Sequence, residues 1–379
     1  MLSSPTLLPS AADVVVVGAG IVGLAHAFEA HRQGRSVVVL DRDARPAGAS
    51  IRNFGHACVT AQPESLRDLA RSSREGWLTM SRRTGIPVDE AGAVVLAGDR
   101  ADLDVLEAFA AARPGDATLL DRSDLDDELA GLAGEQLRGG LRLRHDLRVD
   151  PRTTAPRLAG WLEAAGVPIC WRHNVIGVQA DSIGTRVDTN RGTIRAEQVV
   201  LCSGHDLDHL FPAVADEHRV ERCSLQMTRL AAPGPQVRPA LLTATSVLRY
   251  GAFGEVADLA PLRRHLESTA PRLLAAQANL MLTQLPDGTL LVGDSHDYAA
   301  TPEPFLSAAV EHQLHTALAR LLKTAALPVL ERWQGVYASS PATDVLDVEP
   351  WPGLRLITVT SGVGMTLSFG LARRTFPRP

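Results

Sequence analysis

Three glycines in Gly18-Ala19-Gly20-Ile21-Val22-Gly23, with Asp41 at the end of the next apolar run, form the constellation with the most definite chemistry in this chain. The first glycine permits a tight turn and the second lets the backbone approach a pyrophosphate. The third lets a helix pack closely on a strand while its positive N-terminus faces the anion. A carboxylate at Asp41 stands where it can accept hydrogen bonds from both hydroxyls of a ribose. The chemistry is therefore the binding of a dinucleotide. Elsewhere, Arg249 beside Tyr250 places a cation in the otherwise weakly charged stretch from Ser246 to Phe253, a candidate for holding an anionic group. Cys58, Cys170, Cys202 and Cys223 are far apart and form no CxxC pair, so neither a metal site nor a disulfide framework is expected.

The glycines act only if a strand delivers them and a helix leaves them. Asp13–Val17 is a β-branched run suited to a buried parallel strand. The stretch through Leu24, Ala27, Phe28 and His31 has helical character and stops at Gly34, and Ser36–Leu40 is a second strand ending in Asp41. This is one βαβ unit. Val149-Asp150-Pro151 opens a helix that runs to about Ala165, and strand-like Ile169–Trp171 and Val175–Gln179 follow. A hairpin around Asn190-Arg191-Gly192 feeds a buried strand from Gln198 to Cys202, which ends at Ser203-Gly204. Ile86–Gly98 and Leu280–Val292 are predicted strands, the latter broken by the turn Pro286-Asp287-Gly288. Leu354–Val359 is a strand running into a second glycine loop, with a helix beginning near Thr366. Pro233-Gly234-Pro235 is a loop between elements, and no repeat or low-complexity tract is present.

Composition narrows the function classes. The chain has 379 residues, 45% of them hydrophobic, enough to bury a full core and to form two domains. A formal net charge of -5, with both signs interspersed, provides no stripe for a phosphate backbone, so nucleic acid is not an expected partner. Residues 1–12 lack a basic n-region and a long apolar stretch and are expected to be a short flexible lead-in; no membrane span is expected later. With its unpaired cysteine pattern, the chain is expected in a reducing cytoplasm.

Four separated motifs together resemble the D-amino acid oxidase, glycine oxidase and sarcosine oxidase superfamily of flavoproteins: Gly18–Gly23 with Asp41; Gly48-Ala49-Ser50-Ile51-Arg52-Asn53-Phe54-Gly55; Val199-Val200-Leu201-Cys202-Ser203-Gly204; and Arg332-Trp333-Gln334-Gly335 with Ser361-Gly362-Val363-Gly364-Met365-Thr366-Leu367. The resemblance implies an α/β fold: a Rossmann-like FAD-binding domain with a glutathione-reductase type βαβ unit, and an inserted α+β substrate domain on a mixed or antiparallel sheet. Residues 1–85, 148–215 and 330–379 are assigned to the first, 86–147 and 216–329 to the second. The residues expected to hold FAD are Gly18, Gly20, Ile21, Val22, Gly23, Asp41, Arg42, Ala49, Ser50, Arg52, Asn53, Phe54, Gly55, Val175, Ser203, Gly204, Gly335, Gly362, Gly364, Met365 and Thr366. The later glycine loop and the helix after it would place N–H donors and a positive helix end at the negative side of a reduced flavin.

The same resemblance implies oxidation of an amine by hydride transfer to the flavin. Gly48–His56, Arg249-Tyr250 and Trp333–Ser339 are similar to a phosphonate-catabolism branch whose substrates would be 2-aminoethylphosphonate or its N-methyl derivative, giving phosphonoacetaldehyde. Tyr337 occupies the position where glycine and D-amino acid oxidases carry a carboxylate-clamping arginine, and Val336 the position where monomeric sarcosine oxidases carry the cysteine bonded to flavin. Non-covalent FAD is therefore expected. The site residues expected around the substrate are Arg249, Tyr250, Arg52 and Trp333, with His56, His296 and Tyr337 as catalytic candidates; the histidines would be proton carriers. Arg52 has an alternative role as partner of the FAD pyrophosphate. The acceptor is O2 or another oxidant, and Lys323, the single lysine, is placed on a late helix and expected to take no part. Oxidation of glycine, sarcosine or a D-amino acid, and a non-catalytic FAD-carrying subunit, are the alternatives.

Overall fold

A computed structural model of the chain describes residues 7–182 and 184–377, so the first half of the expected lead-in, residues 1–6, lies outside the described residues. The lead-in is shorter than expected, because Ala11 and Ala12 already belong to the first strand, Ala11–Val17. That strand pairs in parallel with Val37–Asp41 on one side and with Gly192–Leu201 on the other. Val37–Asp41 pairs in parallel with Ile169–Trp171, and Gly192–Leu201 with Leu354–Val359. Val14, Val15, Val16 and Val39 are fully buried, as expected where a parallel sheet is covered on both faces. Parallel pairing has a functional consequence: Val17, Leu40 and Leu201 lie in register, so the turns that follow them leave from one edge of the sheet.

One face of this sheet carries the helices Ile21–Arg32, Glu64–Thr84, Pro151–Ala164 and Gly364–Thr375, whose apolar residues share a core with Val14, Val16 and Val39. The predicted start of Pro151–Ala164 is physical: Asp150 accepts a hydrogen bond from the Arg152 N–H, and proline occupies the first turn. Gly76 and Gly370 let Glu64–Thr84 and Gly364–Thr375 approach closely; a Cβ on Gly370 would stand 2.3 Å from the Leu69 carbonyl oxygen. Gly370→Ala is expected to destabilise the protein by about 1–3 kcal/mol through overpacking, read as a lower midpoint in denaturant unfolding of the holoprotein.

The second sheet has nine strands among the described residues and is mixed: Ala240–Leu242 pairs in parallel with Ala93–Ala97, while the other pairings are antiparallel. Two expectations change here. The predicted strand from Ile86 begins only at Ala93, because Pro87 and the left-handed Gly92 (φ +68°) interrupt the run before it. The strand Val329–Ser339, assigned from the sequence to the FAD-binding part, pairs along its length with Glu221–Leu230 and so belongs to the second sheet. Lys323 is also displaced: the helix Ala308–Leu321 ends before it, and its amine is exposed near Glu135. No helix among the described residues is long and apolar enough to cross a membrane.

Candidate active site

A cleft of about 630 Å3 starts at the edge where the parallel strands end and extends to the second sheet. At its near end, the Gly18 N–H donates to the Leu40 carbonyl and the Ala19 N–H to Asp41 Oδ2 at 2.6 Å, which locks the glycine turn against the second strand. Asp41 Oδ1 accepts from the Asp43 N–H. Burial raises the Asp41 pKa, against these two donors, and the residue lines the cleft. Gly18 has φ +101°, open to glycine and costly for other residues, and a Cβ there would lie 2.4 Å from the Cys202 carbonyl oxygen. Gly23 does not line the cleft: its missing Cβ would stand 1.9 Å from the Gly18 carbonyl oxygen, so it serves the turn from behind.

The loop after Gly48 forms one wall. Ser50 Oγ accepts from the Ile21 N–H, tying the loop to the first helical turn, and Asn53 closes the loop through Ala49 and Gly55. Gly55 stays outside the lining, against Val149 and Pro151. Arg42 and Val175 line the cleft, with Arg42 paired to Asp206 at 2.7 Å. Arg52 is exposed at the rim and donates to the Gln334 carbonyl.

The second glycine loop reaches the same cleft. Gly362, Gly364 and Met365 line it together with Gly18, Gly20, Ile21, Val22, Ser203 and Gly204, so the two loops that are far apart in the chain share one groove. Thr366 faces away and accepts from the Cys58 N–H. The residues present fit a flavin dinucleotide. A Cβ on Gly48, Gly204 or Gly364 would meet nothing within 4 Å, Ser203 Oγ is buried with no partner among the described residues, and the N-terminus of Gly364–Thr375 opens on the cleft. Asp41 would hold the ribose, the turn from Gly18 to Val22 the pyrophosphate, and Gly335 and Gly362–Met365 would flank the flavin.

At the far end stands Arg249. Its guanidinium donates to Tyr337 Oη at 2.6 Å and to Tyr298 Oη at 3.2 Å. Burial works against the charge, but the two phenols and Asp294 more than offset it, holding Arg249 above its ordinary pKa. The Tyr337 ring packs on Gly362, where a Cβ would come within 3.1 Å, linking this end to the C-terminal loop. Tyr250, Asn279, Met281 and Asp294 complete the wall.

Not every candidate arrives here. Trp333 is not among the lining residues: the Arg152 guanidinium lies 4.9 Å from its ring centre, and its indole donates to the Arg52 carbonyl. His56 borders the cleft but its Nε2 is held by Asp146 Oδ2 at 2.8 Å, in a buried pair whose other carboxylate oxygen accepts from the Thr60 N–H. His296 lines the cleft, and burial with the nearby Arg249 charge pushes its pKa down to about 3. Its ring is neutral at physiological pH and cannot act there as a cationic proton donor. Asn279 and Asp294 went unnoticed in the sequence, where Gly293-Asp294-Ser295-His296 has the composition of an ordinary polar turn.

Comparison with known proteins points the same way. The family profile described as FAD dependent oxidoreductase (DAO) matches residues 13–376. Glycine oxidase from Geobacillus kaustophilus is 29% identical over 206 residues, 51% of this chain and 54% of that enzyme. The bifunctional protein ThiO/ThiG of a Nostoc species is 25% identical over 361 residues, 91% of this chain and 49% of that protein. The chain thus spans about half the length of these curated relatives. Among solved structures, glycine oxidase from G. kaustophilus superposes with a TM-score of 0.78 at 22% identity, covering 97% of this chain and 94% of that one. L-proline dehydrogenase from P. horikoshii gives 0.78 at 17%, covering 97% and 92%. Likeness at such identities carries the fold.

Proposed function

The chain belongs to the DAO family of FAD-dependent oxidoreductases, and from that premise we propose that it oxidises a small amine bearing an anionic group, an aminophosphonate such as 2-aminoethylphosphonate before others. Bound FAD supplies a two-electron acceptor for the hydride on the carbon next to a neutral amine. The chain's own task is to hold that carbon in place, favour the free amine and exclude water. The observation that carries the reading is Arg249. Its hydrogen-bond partners are phenols rather than carboxylates, so the guanidinium keeps its charge and has donors to spare for a substrate anion. With Tyr337 lining the cleft beside it, this end of the cleft offers guanidinium N–H groups and a phenol to a dianionic group with three oxygens, which favours phosphonate over carboxylate. Tyr337, standing where carboxylate-clamping relatives carry arginine, supports the same choice. The imine product would hydrolyse to phosphonoacetaldehyde.

The second reading is oxidation of glycine, sarcosine or a D-amino acid, favoured by the relatives named glycine oxidase. Non-covalent FAD, oxygen as acceptor and a reducing cytoplasm belong to the proposal; Val336 lines the cleft without a thiol, and all four cysteines are unpaired and buried. Anaerobic mixing of the holoprotein with a panel of aminophosphonates, glycine, sarcosine and D-amino acids tests it. Aminophosphonates are expected to bleach the flavin with the highest second-order rate constant. A higher value for glycine, sarcosine or a D-amino acid replaces the substrate, and a flavin that stays yellow with every amine supports a non-catalytic flavin-carrying subunit instead.

A further inference from the structure

Next to Arg249 the cleft carries a group of buried acceptors, two of whose oxygen atoms have no hydrogen-bond partner among the described residues. Asp294 is held by reciprocal backbone hydrogen bonds with Asn279, at 2.9 and 3.0 Å, at the end of the strand Leu290–Gly293. Its side chain is 4% exposed, lines the cleft, and leaves Oδ1 with no partner among the described residues. Asn279 Oδ1 lines the same wall and is likewise buried without a partner. His296 adds a third acceptor: its Nδ1 lies 2.9 Å from the Gln277 carbonyl, which can only accept, so a neutral ring must carry its proton there. Nε2 then presents a lone pair, 3.9 Å from Asp294 Oδ2 and unable to donate to it.

Buried acceptors of this kind cost stability unless a ligand supplies donors. Three acceptors, one of them an acid, are the complement of a group with three N–H donors and a positive charge. We propose that Asp294, Asn279 and His296 form a subsite for the substrate's ammonium, and that Asp294 accepts a proton from it so that the reacting amine is neutral. The inference rests on the amine-oxidation reading above. The step balances: the N–H bond of the ammonium breaks, its electron pair stays on nitrogen, and the proton moves to the Asp294 carboxylate, which becomes a carboxylic acid. With Arg249 on the anionic group, a zwitterion is gripped at both ends.

The electrostatics suit this role. Burial pushes Asp294 up to about 7, with the Arg249 charge working against the rise. The other titratable groups around it are silent near neutrality: burial raises Tyr250 well above its ordinary value and Cys223 to about 11, and His296 is neutral. Asp294 is therefore ionised, and able to take a proton, above neutral pH and loses that capacity as pH falls through about 7.

The test uses FAD-loaded protein and whichever amine of the panel bleaches the flavin fastest. Wild-type bleaching is expected to rise with pH through a midpoint near 7. Asp294→Asn is expected to lose that midpoint and, at neutral pH, to bleach about 100-fold or more slowly, with the gap narrowing as alkali frees the amine directly. Infrared titration of the holoprotein supplies a readout without turnover: a carboxylic-acid carbonyl band that disappears as pH rises through neutrality and is missing from Asp294→Asn. An Asp294→Asn protein that bleaches with unchanged rate and midpoint overturns the role of Asp294 and leaves amine oxidation standing. A wild-type protein with no such infrared band overturns it also, even where the variant fails to fold. A panel in which no amine bleaches the flavin overturns both readings together.

Discussion

Arg249→Leu is expected to lower kcat/KM for an anionic amine by about a hundred- to several-thousandfold, the scale of about 3–5 kcal/mol for removing one partner of a desolvated charge pair. The physical reason is that the substrate anion would enter the end of the cleft beside Tyr337 without the cation that makes burial of its charge tolerable. Arg249→Lys should recover only part of the loss, because a single ammonium cannot bridge Tyr298 and Tyr337 and also meet the ligand with a planar fork. The comparison that isolates the effect is an uncharged amine of the same length, for which the variant and wild type should differ little. Equal losses for the charged and uncharged amines would show that Arg249 supports the pocket walls rather than the substrate, and the aminophosphonate reading would lose its main observation.

A second large effect is expected at the other end of the cleft. Gly18→Ala should yield a folded protein that purifies without flavin, or holds it at least about a hundredfold more weakly. Two costs combine. An L side chain at φ +101° is strained by about 1–2 kcal/mol, and the new Cβ would press into the Cys202 carbonyl at 2.4 Å. That carbonyl is backbone, part of the strand end that leads to Ser203, so relief must come from moving the turn that cradles the pyrophosphate. Flavin absorbance relative to protein absorbance measures the result, with far-ultraviolet circular dichroism as the control for folding. Gly160→Ala is the matching substitution in open space on the helix Pro151–Ala164 and should keep its flavin. A Gly18→Ala protein with stoichiometric FAD would mean that the turn does not need the backbone approach inferred for it.

The two ends of the cleft differ in how far they could be read in advance. Gly18, Gly20 and Asp41 are legible because every signal that defines them is local: a β-branched strand, a helix and a second strand lie within one short segment, and the turn between them has few conformations available. Trp333 and Tyr337 are four residues apart on one strand and so share a face of it, yet only Tyr337 reaches the cleft. What separates them is position along the strand: Tyr337 lies opposite Cys223 and packs on Gly362, whereas Trp333 lies opposite Met227 with the Arg152 guanidinium over its ring, and those partners come from segments remote in the chain. Thr366 and Gly23 belong to the right motifs and still face away from the groove, because a motif marks a backbone path and not the direction of each side chain.

By itself the amino-acid order determined the nucleotide-binding turn, the acid at the end of the second strand, the helix starts and the presence of a candidate cation, since all of these follow from hydrogen bonding and sterics between near neighbours. Tertiary structure alone decided what those groups became. It placed Asp294 and Asn279 side by side through strand pairing, buried them with Arg249, left His296 neutral and sent Trp333 elsewhere. The reason is that charge state and accessibility depend on the dielectric and the charges around a group, and here those surroundings are assembled from segments that meet only when the sheets are complete.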